Sequence, residues 1–133
     1  MRRLPKYAFK PAAAALLFLA LAGCGGDNPK LVGATGKVTH KGKPVTGGSV
    51  WFHPAEGSSY KGEKPSGQLQ LDGTFDAKTF PHGGGIPPGS YKVTLSPDLA
   101  GRMGKPAYGD AAKTPWAVEI PEGGLAGHEF EVK

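Results

Sequence analysis

Cysteine is all but missing from this chain. A single one, Cys24, stands among 133 residues, which excludes an internal disulfide and any cluster of paired thiolates around a metal. A long apolar run is missing too. The longest, Ala12 to Ala22 (AAAALLFLALA), is about half of the roughly 20 residues a helix needs to cross a bilayer. No Gly-x-Ser-x-Gly elbow is present to raise a nucleophile. The four histidines, His40, His53, His82 and His128, are scattered, with no His-x3-His spacing to hold a metal. Helical patterning is scarce as well: 22 glycines and 13 prolines interrupt the chain too often for a helix to run beyond the apolar segment. These absences point away from catalysis, metal binding and bound cofactors.

What is present begins with an address. Arg2, Arg3, Lys6 and Lys10 precede the apolar run, and small residues follow it, the order of a secretory signal peptide. The run ends in Leu21-Ala22-Gly23-Cys24, which resembles the lipobox of bacterial lipoproteins. That resemblance implies a diacylglyceryl group on the Cys24 thiol, cleavage before Cys24, and a membrane anchor without a spanning helix. Stable anchoring takes more than one acyl chain, and a lipidated amino-terminal cysteine supplies that. The expectation is therefore a signal peptide over 1–23, a lipidated cysteine with a flexible tether over 24–32, and a folded domain over 33–133. Gly25 stands where some lipoproteins carry an inner-membrane retention aspartate, so the outer membrane is favoured. Loss of the signal also removes four cations and no carboxylate. The remainder holds twelve Lys and Arg against eleven Asp and Glu, a net of +1, and the hint of nucleic-acid binding in the pI of 9.4 goes with it.

The folded part reads as strands. SYKVTLS, Ser90 to Ser96, alternates Tyr91, Val93 and Leu95 against Lys92 and Thr94, the period-two mark of a half-buried strand. WAVEI, EFEVK, QLQL, SVWF, GKVTH and GTFDAKTF repeat the pattern, with Trp116, Phe130, Leu69, Leu71, Phe52, Val38 and Phe75 turned inward and Trp51 turned out. Asp72-Gly73 signals a hairpin, and KGKP, IPPG and PEGG mark further reversals. Seven strands are expected, near 34–40, 47–53, 66–71, 74–80, 89–96, 115–120 and 128–133. Short alternating strands with frequent turns make a two-sheet sandwich. The stretches 54–65 and 97–115 do not alternate and read as long loops, a kind that is usually functional or mobile.

Three segments in series, GKVTHKGKPVTGGSVWFHP, LDGTFDAKTF and GIPPGSYKVTLSP, resemble the transthyretin-like, carboxypeptidase-regulatory-like domain in the form found in small bacterial lipoproteins. PAYGDAAKTPWAVEIPEGG, Pro106 to Gly124, is similar to the closing segment of those proteins. The resemblance implies an all-β, seven-stranded, antiparallel, Ig-like sandwich that is not an enzyme and serves as an accessory, adhesive or structural module.

The candidates for binding are few. Trp51 on the outer face, with Tyr60 and Tyr108 in the two long loops, form the best set of aromatics for a glycan. A protein partner in the cell envelope, met through a sheet edge, is the other class of ligand. His40 and His53 are expected to end neighbouring strands. Asp72 and Asp76 are two carboxylates, too few for a calcium loop. Tyr91, inward at the start of its strand, is expected to bond a backbone partner at the sheet end.

Overall fold

The computed structural model describes residues 29–58 and 60–133. The expected signal segment, Cys24 and most of the expected tether lie outside the described residues. Among the described residues there are ten strands: β1 Ala34–His40, β2 Lys43–Pro44, β3 Ser49–Pro54, β4 Ser66–Gln68, β5 Thr74–Asp76, β6 Lys78–Thr79, β7 Gly83–Gly84, β8 Gly89–Leu95, β9 Ala117–Ile120 and β10 Leu125–Val132. They form two sheets. One has the order β7-β6-β4-β3-β8-β9; in the other, β1 lies between β10 on one edge and both β2 and β5 on the opposite edge.

The local reasons are in the sequence. Lys41 and Gly42 take φ of 54° and 78°. Positive φ at both centres of a two-residue loop matches the strand twist of a hairpin, and β1 pairs back on β2 through Thr39–Pro44 and His40–Lys43. Strand β8 alternates as its sequence does, with Tyr91, Val93 and Leu95 all buried. The Tyr91 hydroxyl donates to the Pro87 carbonyl at 2.6 Å, a tyrosine corner that fixes the bend leading into β8.

The core between the sheets is built on a chain of aromatic contacts. Tyr91 meets Phe52 at 5.9 Å, Phe52 meets Phe75 at 6.0 Å, and Phe75 meets Phe130 at 6.2 Å between ring centres. Trp116 continues it, 5.1 Å from Phe130 and 5.0 Å from Tyr108. Offset and tilted ring pairs of this kind each add about 0.5–1.5 kcal/mol beyond the area they bury.

Several expectations are corrected. The sandwich is not wholly antiparallel: β1 and β10 run parallel, from Ala34–Leu125 to His40–Val132. A parallel pair needs a long crossover, and here the crossover is nearly the whole domain. The expected strand 74–80 is two strands in different sheets. It passes from one sheet to the other at Ala77, which is fully buried and whose N–H donates to the Ala34 carbonyl. The Asp72-Gly73 turn therefore joins strands of different sheets, not a paired hairpin, although Gln70 N–H and the Thr74 carbonyl close it locally at 2.8 Å. Because β4 ends at Gln68, Leu71 falls outside the alternation and is 91% exposed.

The stretch 97–115 is not an open loop. It holds a short helix, α1, Pro97–Arg102, and a 3-10 turn at Pro106–Gly109. Leu99 and Ala100 of the helix and Tyr108 of the turn are buried in the core. Proline at the first helical position, Asp98 in the first turn and Arg102 in the last suit a single helical turn and a half.

Candidate functional site

The outer face of the six-stranded sheet carries the one exposed large aromatic that alternation placed there. Val50 and Phe52 of β3 are buried, and Trp51 between them points outward with 38% of its surface exposed. Its ladder neighbours are Ser66 of β4 and Thr94 of β8. Two residues on, His53 pairs with Lys92, and Lys78 of β6 stands across from Ser66. The face is therefore an aromatic plate bordered by the half-buried Ser66 and by the exposed cations Lys78 and Lys92. Lys92 follows from the alternation of β8. Ser66 and Lys78 do not, because their strands are too short to show a period.

His53 is fixed on this face. Its Nε2 lies 2.9 Å from the Thr94 hydroxyl. Partial burial, and then the charge of Lys64, hold its pKa below the usual histidine value, so the ring stays neutral near pH 7. Histidine and threonine within hydrogen-bond reach are the first two members of a nucleophilic arrangement. Here, however, Thr94 is only 2% exposed. The bond holds the side chains in place and gives a substrate no access to the oxygen.

The three aromatic candidates do not come together. Tyr108 is buried: it packs edge-on against Trp116, and its hydroxyl accepts the Lys133 N–H at 3.0 Å. Its 3-10 turn docks onto the core, which the polar sequence around it concealed. Tyr60 stays in the loop between β3 and β4, where its hydroxyl donates to the Glu63 carbonyl at 2.6 Å. Among the described residues no aromatic contact joins Trp51 to either tyrosine. His40 and His53, expected to end neighbouring strands, do not. They lie in different sheets, and His40 Nδ1 is 2.9 Å from the Val132 carbonyl.

A shallow cleft of about 310 Å³ borders the same face between β8 and β9, lined by Ser90, Lys92, Ala117 and Glu119 among others. Ser90 donates to Glu119 at 3.3 Å across it. Among the described residues no group of three or more His, Cys, Asp or Glu side chains gathers to hold a metal. No protein family, no curated protein and no solved structure matches this chain. The site rests on its own geometry.

Proposed function

We propose that this protein is a lipid-anchored, non-catalytic module of the bacterial cell envelope that docks a protein partner on the sheet face around Trp51. The exposed indole on an otherwise polar face carries the reading. Tryptophan is the residue most enriched among those that dominate binding energy, and it acts best at the centre of a patch with a polar rim. Ser66, Lys78 and Lys92 supply that rim. Cys24 would hold the module on a membrane, the outer one favoured, with the domain facing the periplasm or exterior. The two-sheet all-β architecture is compatible with the transthyretin-like, seven-stranded resemblance, in which β2, β6 and β7 are short additions to seven longer strands.

Glycan binding is the second reading, favoured by the same indole beside Ser66. It is weakened by the separation of Trp51 from Tyr60 and Tyr108, since a long sugar chain is gripped best by several aromatic plates in line.

The experiment places a photoreactive residue at Gln68 or Lys92 in the full-length protein in cells. The captured material is identified by mass spectrometry. Recurrent capture of one envelope protein, lost in Trp51→Ala, supports the docking reading. Capture of no protein, with Trp51-dependent retention on isolated cell-wall polysaccharide, replaces it with the glycan reading.

A further inference from the structure

The strand directions decide which end of the sandwich faces the anchor. Val32 bridges Ile86, and Leu125 N–H donates to the Gly33 carbonyl, so the incoming segment reaches the domain beside the start of β8 and the start of β10. Strand β3 ends at this end, because Pro54 pairs with Tyr91 near the start of β8. Strand β4 runs back from it, and β6, antiparallel to β4, runs toward it. The tip of the β6–β7 hairpin, Phe80-Pro81-His82, therefore lies at the same end as the incoming chain. So do the β3–β4 loop and the turn Pro121–Gly124.

Phe80 is out of place for a residue that merely closes a turn. It is 76% exposed, and it sits beyond Thr79, which is wholly buried and donates its hydroxyl to the Gly85 carbonyl at 2.8 Å. The hairpin is thus rooted in the core and carries an aromatic ring and a proline at its free end. The stretch between the proposed anchor and the described domain is short: from Cys24 to Pro29 is five residue steps, at most about 18 Å when extended. A domain held that closely presents this end to the lipid.

We infer that the Phe80-Pro81 hairpin tip contacts the bilayer interface and orients the domain on the membrane. The inference rests on the anchoring through Cys24 proposed above. Phenylalanine is a residue that interfacial contacts use, its ring settling at the boundary of headgroups and acyl chains. Charge plays a small part, because this end is nearly balanced. Lys30 holds Glu122 at 2.7 Å, and Lys61 and Lys64 share the β3–β4 loop with Glu56 and Glu63. Of the other exposed large apolar side chains, Leu71 lies at the opposite end, by the Asp72-Gly73 turn, and Trp51 on the outer sheet face. With the tip seated, the sheet face around Trp51 stands roughly upright from the membrane and open to a partner.

The test uses the full-length lipidated protein in vesicles of phosphatidylethanolamine and phosphatidylglycerol. With Cys24 acylated, Phe80→Cys and Leu71→Cys each provide one free thiol for an environment-sensitive fluorophore. A blue-shifted probe at position 80, quenched several-fold more strongly by shallow spin-labelled lipid than the probe at 71, supports the contact. Vesicle-bound protein whose two probes are equally water-exposed, or equally quenched, overturns the contact and leaves the anchor standing. Protein that carries no lipid on Cys24 by intact mass and does not float with the vesicles overturns the anchor and the inference together. A Lys78→Cys probe, on the stem of the hairpin, shows that the labelled strand is folded: it stays less quenched than the tip if the contact is as described.

Discussion

The ring of Phe75 fills the space where Gly36 lacks a side chain. A Cβ at Gly36 would stand 2.7 Å from the Phe75 Cζ and 2.5 Å from the His128 carbonyl oxygen. On its other side the same ring is bordered by Gly67 of β4, where a Cβ would meet it at 3.0 Å. One phenylalanine thus ties the two sheets together through two glycines, one from each. Gly36→Ala is expected to cost about 1–3 kcal/mol, the usual range for overpacking a tight core. Gly33→Ala, with open space around it, is expected to be near neutral. Denaturant midpoints of the two variants check the pair.

The tyrosine corner gives an alkaline signature. Burial, and then the proximity of Tyr60, push the Tyr91 hydroxyl up to about 12 from 10.0. The unfolded chain loses this proton first, so the contribution is complete below pH 10 and is lost as pH rises from 10 toward 12. Tyr91→Phe is expected to flatten that part of the stability profile. It should also cost about 1–3 kcal/mol at neutral pH, since the Pro87 carbonyl loses its buried partner. Thermal melts at a series of pH values measure both effects.

His53 gives an acid signature of opposite sense. Its folded pKa lies below the ordinary histidine value of 6.5, so the unfolded chain binds a proton that the folded one refuses. Stability is expected to fall as pH drops through 6.5 toward the lower folded value. His53→Gln, which can still reach Thr94, should remove that dependence. An unchanged acid limb in the variant would assign it to the carboxylates instead.

The two tryptophans should separate cleanly in fluorescence. Trp116 is 9% exposed, and its indole donates to the Glu131 carbonyl at 3.2 Å. Trp51→Phe, which leaves Trp116, should emit to the blue and resist acrylamide. Trp116→Phe, which leaves Trp51, should emit to the red and quench readily. Trp116→Ala is expected to cost about 3–5 kcal/mol, as large-to-small changes in a core do, whereas Trp51→Ala should barely move the melting temperature.

Much of the architecture was legible because alternation is a direct record of burial. The expected strand at 34–40 coincides with β1, and SYKVTLS coincides with β8 to within a residue. Trp51 was placed outward by the same argument, and it is outward. The misreadings share a physical cause. Leu71 looked like the inner partner of Leu69, but the strand had already ended, and a period cannot be read past the end of its element. Tyr108 looked like a loop residue, because the turn that carries it is held by an aromatic contact with Trp116 and a bond from the main chain of Lys133, neither of which leaves a local pattern. The parallel pairing of β1 with β10 had no local trace at all, since hydrogen-bond direction leaves no mark on side-chain pattern. Nor did anything in PHGGG announce that Phe80 would be left in the open, as turn chemistry fixes the backbone and says nothing of which ring is left over.

That parallel pairing also sets the order in which the molecule can be made. The central strand of the smaller sheet, β1, finds its longest partner in β10, about ninety positions further along the chain. Contacts so distant in sequence slow the search for the native state, because a long loop must be ordered before it is rewarded. Until Leu125–Val132 has emerged, one edge of β1 stays unmatched, and Trp116 and Tyr108 lack the main-chain partners at Glu131 and Lys133. On the envelope location proposed above, a chain exported amino end first would complete this smaller sheet only once β10 had arrived on the far side.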